Sequence, residues 1–189
     1  MRGGRLESLS DREKRGEEVL KEEVKSLMEA ENACLSPALV NALVSAYQIA
    51  ITRALGAGAN ALSQMLLYEL GDLLSEYVEN LIKVDFEKPE EAIEKIFKEL
   101  KLAKDVKVVR EDGAWNIEVR GSIFIPTYQI LRQRGVEFFT LSPEALLIAS
   151  IIRRYLRLKG KGNERVKVKA EVPEDDVLRF KVVQIKALR

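Results

Sequence analysis

The chain has 189 residues, 47% of them apolar and 32% charged, and its 31 Lys and Arg nearly cancel its 30 Asp and Glu to leave a net charge of +1. That length and apolar share suffice for one sizeable core under a charged surface, a single domain with or without a helical extension. A balance so near neutral argues against a strongly basic domain and makes nucleic acid an unlikely partner.

Histidine is absent and cysteine occurs once, as Cys34. The first absence removes Ser-His triads, Cys-His dyads, histidine-ligated haem and the common zinc sites that mix histidine with cysteine or carboxylate. The second removes an intrachain disulfide, four-cysteine zinc and cysteine-ligated iron–sulfur clusters. Lysine, carboxylate, serine and tyrosine chemistry stays open, as does magnesium or calcium on carboxylates. No spacing marks a catalytic group or a cofactor motif, so the balance is against an enzyme. Charges interrupt the apolar stretches before the ~20 residues a membrane helix needs, and Met1-Arg2-Gly3-Gly4-Arg5 leads into no apolar run. A cytoplasmic protein without a membrane span is expected. Its Lys, Arg and Glu content hints at a thermophilic source.

Residues 1–35 read as an N-terminal extension: a frayed start, then an amphipathic helix over 11–33 with Leu20, Val24, Leu27 and Met28 on one face. Residues 36–189 read as an α+β domain. Ser36-Pro37 is a helix start, serine as N-cap and proline at the first helical position. Behind it Ala38, Ala42, Ala46, Ala50 and Ala54 recur every fourth residue, beside a second row of Leu39, Leu43, Tyr47, Ile51 and Leu55. Rows at that spacing pack into a neighbour's grooves, and a row without bulk admits close approach, so this helix is expected to be largely buried. After Gly56-Ala57-Gly58, a stripe of Leu62, Leu66, Leu70, Leu73, Leu74, Tyr77, Leu81 and Ile82 makes 38–83 one broken helix or two in series.

Pro89 opens a short helix over 89–101, with acidic Glu90 and Glu91 in its first turn. Val106–Arg110 alternates, Glu111-Asp112-Gly113 signals a hairpin, and Trp115–Ile125 reads as the return strand. Residues 126–140 hold a short helix or irregular segment. Ser142-Pro143-Glu144 starts a helix over 143–158, and two alternating strands follow, Arg165–Val172 and Val177–Ile185, joined by Pro173–Asp176. Helices packed on a small antiparallel or mixed sheet of about four strands is the expected architecture.

Three groups of residues stand out as candidate sites. Tyr47, Trp115, Phe124, Tyr128, Phe138 and Phe139 make either a plain core or the rings of an apolar ligand pocket. Ala42, Ala46, Ala50 and Ala54 suit a helix–helix interface, within the chain or between copies. Arg153, Arg154 and Arg157 head a basic run reaching to Lys169; they suit anions or nucleic acid, or the acidic stretch 69–99 balances them within one chain or across a dimer. Glu69, Asp72, Glu76 and Glu79 look like an exposed helix edge rather than a metal site.

The segment Leu67-Tyr68-Glu69-Leu70-Gly71-Asp72-Leu73-Leu74-Ser75-Glu76 matches the pattern LxxLGxxLxxE. With a Gly/Ala-rich helix before it and helix, hairpin, helix, hairpin after it, residues 36–186 resemble the 4-vinyl reductase domain family, which shares a fold with small subunits of trafficking tethering complexes. The cysteines that family members often carry near the late helix and last strands are missing here, so no thiol or metal role follows. The resemblance implies an α+β domain, often dimeric, that binds a small apolar molecule or serves as an interaction scaffold. The expected function is therefore a non-enzymatic, homodimeric small-molecule-binding or regulatory domain without a cofactor. A scaffold subunit is the alternative, and a nucleic-acid-associated protein using the 153–169 run comes after it.

Overall fold

Proline sits in the first two positions of four of the five α-helices among the described residues, where a missing N–H costs nothing and a fixed φ favours the turn. The computed structural model describes residues 36–136, 139, 142–162, 164–171 and 176–185. The chain divides into two units, Met1–Leu35 and Ser36–Arg189. The helix expected over 11–33, Cys34, Phe138 and the connection at 173–175 lie outside the described residues.

Helix α1 spans Pro37–Leu55, and a single 3₁₀ turn, Gly56–Gly58, leads into α2, Ala59–Leu81. Gly56 takes φ 50°, a left-handed conformation that ends α1, so 38–83 is two helices in series. Helix α3 is Pro89–Glu99, followed by strands β1, Asp105–Glu111, and β2, Ala114–Arg120. Asp112 and Gly113 between them have φ of 51° and 75°, the two positive values of a tight hairpin turn. Strand β2 stops short of the expected Ile125 because the chain turns at Gly121, φ 60°, where a Cβ would lie 2.8 Å from the Lys104 side chain. Helix α4 is Ile125–Gln133, α5 is Pro143–Leu158, and β3, Arg165–Glu171, and β4, Val177–Ile185, close the fold. Ser142 caps α5 by accepting from the Ala145 N–H at 3.2 Å, whereas Ser36 makes no side-chain cap.

The sheet is antiparallel throughout, in the order β1-β2-β4-β3. The fold is α+β, as the pattern of elements implied. Trp115, Ile117 and Val119 of β2 pair with Val182, Phe180 and Leu178 of β4, and all six are buried on one face. Helices α3 and α5 cover that face, supplying Ile93, Ile96, Phe97, Ile148, Ile151, Ile152 and Leu156. Such a wholly apolar layer follows from the hydrophobic effect at about 25 cal/mol per Å² of buried apolar surface.

The first two helices depart from expectation. The sheet rests on α3 and α5, while α2 packs outside α5 and α1 lies chiefly against α4. Nor does α2 bury its leucine stripe fully: Leu73 is exposed, and among the described side chains of the helix the buried positions are Ala59, Gly71, Ser75 and Val78. Small residues win there because the α2–α5 spacing is short. A Cβ on Gly71 would lie 3.1 Å from the Leu146 carbonyl oxygen and 3.5 Å from the Ser150 Cβ. Helix α1 is the larger correction: its alanine and leucine rows were expected to be buried, yet Ala42, Ala46, Ala50 and Ala54 are exposed, as are Leu39, Leu43, Tyr47 and Leu55.

Gly71→Val pushes against a carbonyl held in the first turn of α5. The expected result is a loss of about 1–3 kcal/mol in urea unfolding, and Gly71→Ala should lack the ~1 kcal/mol gain usual for that exchange inside a helix.

Candidate functional site

The buried strip of α1 is polar: Asn41, Ser45 and Gln48, at spacings of four and three, face inward. Asn41 carries the contact. Its Nδ2 donates to the Pro37 carbonyl at 2.8 Å and to the Ile123 carbonyl at 2.9 Å. Its Oδ1 accepts from the Thr127 backbone N–H at 3.1 Å and from the Thr127 hydroxyl at 2.6 Å. Thr127 lies in the first turn of α4, whose N-cap residue, Phe124, makes no side-chain cap. Asn41 thus does from another helix what a local N-cap does, binding an orphan N–H of the first turn. Gln48 continues the strip with a hydrogen bond to Thr52, and the buried Ser45 hydroxyl has no partner among the described residues.

A second polar group is buried where α4, α5 and the turn after β2 meet. The Glu144 carboxyl accepts from the Ser122 hydroxyl at 2.5 Å and from the Ser142 hydroxyl at 3.1 Å, and the Tyr128 hydroxyl lies 2.7 Å from Ser142. Ser122 also accepts from the Phe124 N–H at 3.0 Å. Burial raises the Glu144 pKa, and hydrogen bonds from Ser122, its own backbone N–H and Ser142 oppose the rise. Burial, then the nearby Glu144 carboxyl, raise the Tyr128 pKa further, against the Ser142 hydrogen bond. Both groups have the shifted pKa of catalytic side chains. Glu144 is fully buried, however, and every oxygen of the cluster is engaged within it, so its chemistry is that of a tie between three segments.

The arginine group is spent inside the chain. Arg153 lies against Asp72 with both guanidinium nitrogens, at 3.0 and 3.1 Å, and donates to the Tyr68 carbonyl at 3.2 Å over the Tyr68 ring. Arg157 reaches the same carboxylate at 3.0 Å, and Arg154 binds Glu79 with its guanidinium over the Phe86 ring. Burial lowers the Arg153 pKa and Asp72 partly restores it. Of the two partnerships left open by the sequence, acidic α2 within the same chain is the one that forms. Asp72 and Glu79 are thereby occupied, and the described residues contain no cluster of three or more metal-ligating side chains.

The aromatic group divides between the core and the surface of α1. Trp115 is fully buried, donates Nε1–H to Glu90 at 2.9 Å and packs edge-on to Tyr155 under Arg110. Phe124 and Tyr128 are buried in the same apolar core, and Phe139 packs against it edge-on to Tyr128 at 4.7 Å. Tyr47 is 66% exposed on α1, away from the core.

No protein-family model matches the chain. A curated protein does: over 139 residues the chain is 40% identical to "Uncharacterized protein MJ0312" of Methanocaldococcus jannaschii, covering 69% of this chain and 68% of that protein. The chain belongs to the MJ0312 family. That name carries no reaction, so the MJ0312-family site is read from its own chemistry. Two polar ties and an arginine–carboxylate ladder fix the helices, and one apolar helix face is left bare. Asn41, Thr127, Ser122 and Glu144 were not singled out from sequence as site residues. A polar stripe at helical spacing within an otherwise apolar helix was the available signal for Asn41; nothing local announces the Ser122–Glu144 pair.

Asn41→Ala leaves the Thr127 N–H and the Ile123 carbonyl without their partner, so chemical denaturation should show a loss of about 2–3 kcal/mol. For Glu144, folding favours the protonated form because the folded pKa lies above the ordinary 4.5. That contribution is complete below the unfolded value and is lost as pH rises through the folded one. Glu144→Gln keeps a neutral hydrogen-bonding group, so its stability-against-pH curve should be flatter than the native one above about pH 4.5.

Proposed function

We propose that this chain is a non-enzymatic assembly domain that works as a homodimer, with α1 at the centre of the contact between two copies. One observation carries the reading: α1 turns its polar strip inward and its apolar rows to solvent. Leu39, Leu43, Tyr47 and Leu55 form a ridge, and Ala42, Ala46, Ala50 and Ala54 a shallow row beside it. A surface holding both ridge and groove complements itself, which is what a two-fold contact requires. The helix carries one charge, Arg53, in 19 residues, so little charge would be desolvated on contact. Met65 and Leu73 add exposed apolar surface on α2.

Two other occupants have less support. Helix α1 is the one described helix long and apolar enough to cross a membrane by length and composition. Its polar strip is nonetheless bound to Thr127 and Ile123, a partnership that spanning a bilayer would break. The rings that would line a site for a small apolar molecule are packed into the core, Trp115, Phe124 and Tyr128 all buried there, with Tyr47 apart from them on α1. The proposal keeps the likeness to the 4-vinyl reductase domain family: the elements follow the same order, and Gly71 of the Leu67–Glu76 motif sits at a close helix contact.

Sedimentation velocity over a concentration series tests the proposal. A concentration-dependent dimer is expected, weakened by about thirtyfold or more in Leu43→Glu and in Ala46→Glu, since each buries an unpaired charge at a cost of ~2 kcal/mol or above. Far-UV circular dichroism should not change, because both positions are exposed in the single chain. A monomer at every concentration, or a dimer indifferent to both substitutions, overturns it.

A further inference from the structure

The basic run that the sequence presents as one cluster is divided by the fold. Its helical part is bound to α2, whereas its strand part lies on β3, where alternation decides the direction of each side chain. Val166 is buried and Val168 half-buried, facing Gln184 and Val182, so Arg165, Lys167 and Lys169, all exposed, project from the opposite face of the sheet, which no described helix covers. On β4 the buried Leu178, Phe180 and Val182 likewise send Arg179 and Lys181 outward. The register sets Lys169 directly opposite Lys181. Like charges so placed repel across the strands. No ion pair or hydrogen bond joins the side chains of Lys167, Lys169 or Lys181 to another described residue, while Glu118 in mid-sheet is engaged by Arg120 and Arg179. Apart from its last residue, Glu171, β3 carries no acidic side chain, and Asp105 and Glu111 lie on β1 at the far edge of the sheet.

Lysines on an edge strand deter edge-to-edge pairing. That accounts for β3, but Lys181 belongs to an inner strand, where a lysine facing another lysine weakens the sheet and protects nothing. We infer that this outward face binds the phosphate backbone of duplex nucleic acid. Arg165, Lys167 and Lys169 form a line of positive charge ~13 Å long at about 6.7 Å intervals, with Lys181 beside it. A duplex carries one charge per ~1.7 Å of axis, dense enough to meet each cation without a fixed register. Lysine is a point charge suited to sequence-independent phosphate contact. The outward positions of β2, β3 and β4 carry no aromatic ring, so the stacking on which single-strand binders depend is missing. The net charge of +1 hides this surface because the compensating acids lie elsewhere.

The test is fluorescence anisotropy of a labelled mixed-sequence duplex with the full chain, read at about 50 and 200 mM salt. Four phosphate contacts, from Arg165, Lys167, Lys169 and Lys181, predict a slope of log K on log salt of about −3.6, a roughly 150-fold loss between those two conditions. The variant Lys167→Gln/Lys169→Gln/Lys181→Gln, which keeps Arg165, should bind at least tenfold more weakly at the lower salt with a slope reduced to about −0.9. Its melting temperature should stay level or rise, since the Lys169–Lys181 repulsion is removed; this separates lost contacts from lost folding. Four outcomes overturn the inference: no binding at the lower salt, binding that the triple variant retains, tighter binding to the single strand than to the duplex, or equal affinity for polyglutamate or phosphatidylserine vesicles.

Discussion

The rotation of α1 about its own axis is the constraint on which the exposed surface depends, and Asn41 sets it. A carboxamide has two N–H donors and one oxygen able to accept twice, and Asn41 uses all four positions. Two partners belong to the backbone around α4, at Ile123 and Thr127, some 82 and 86 residues along the chain. Turning the helix to bury its alanines and leucines would strand the Ile123 carbonyl and the Thr127 N–H. An unsatisfied buried polar group costs about 1–3 kcal/mol. The apolar rows gain their burial energy only when something else covers them, so the hydrogen bonds decide the direction.

The same division of labour recurs through the domain. The sheet face under α3 and α5 is apolar throughout and tolerant in kind, since many aliphatic combinations fill such a layer. Polar groups make the arrangement particular. Glu144 draws Ser122 and Ser142 to a common point, and Tyr128 joins through Ser142. Asp72 holds Arg153 and Arg157 along the α2–α5 seam, where Gly71 permits the approach. Wrongly assembled versions of the same helices would leave these groups buried and unpaired, a larger penalty than a poorly filled apolar contact.

Charge follows the fold rather than the sequence. Arg153 and Lys169 are sixteen positions apart in one basic run, yet one guanidinium is folded against Asp72 and the other cation stands on an open sheet face opposite Lys181. Helical periodicity placed the first group beside an acidic neighbour, and strand alternation placed the second away from one. A composition of nearly equal opposite charges therefore describes neither surface.

Much of the fold was legible in the residues themselves because its signals are local. Pro37, Pro89 and Pro143 mark helix starts, Asp112-Gly113 marks a hairpin, Gly56 marks a break, and alternation marks β3 and β4; each acts within a few residues. The α+β class follows from the order of those elements. The rows of alanine and leucine on α1 were equally visible as rows. Their direction was not, because it depends on hydrogen bonds to a segment more than eighty residues away, and a periodic pattern states which side chains share a face without stating what that face meets. Sequence alone determined the elements and the residue groups. Only the tertiary structure decided that the arginines are paired, that Tyr47 stands apart from the rings of the core, and that the apolar face of α1 lies bare, since each outcome rests on contacts between segments remote in the chain.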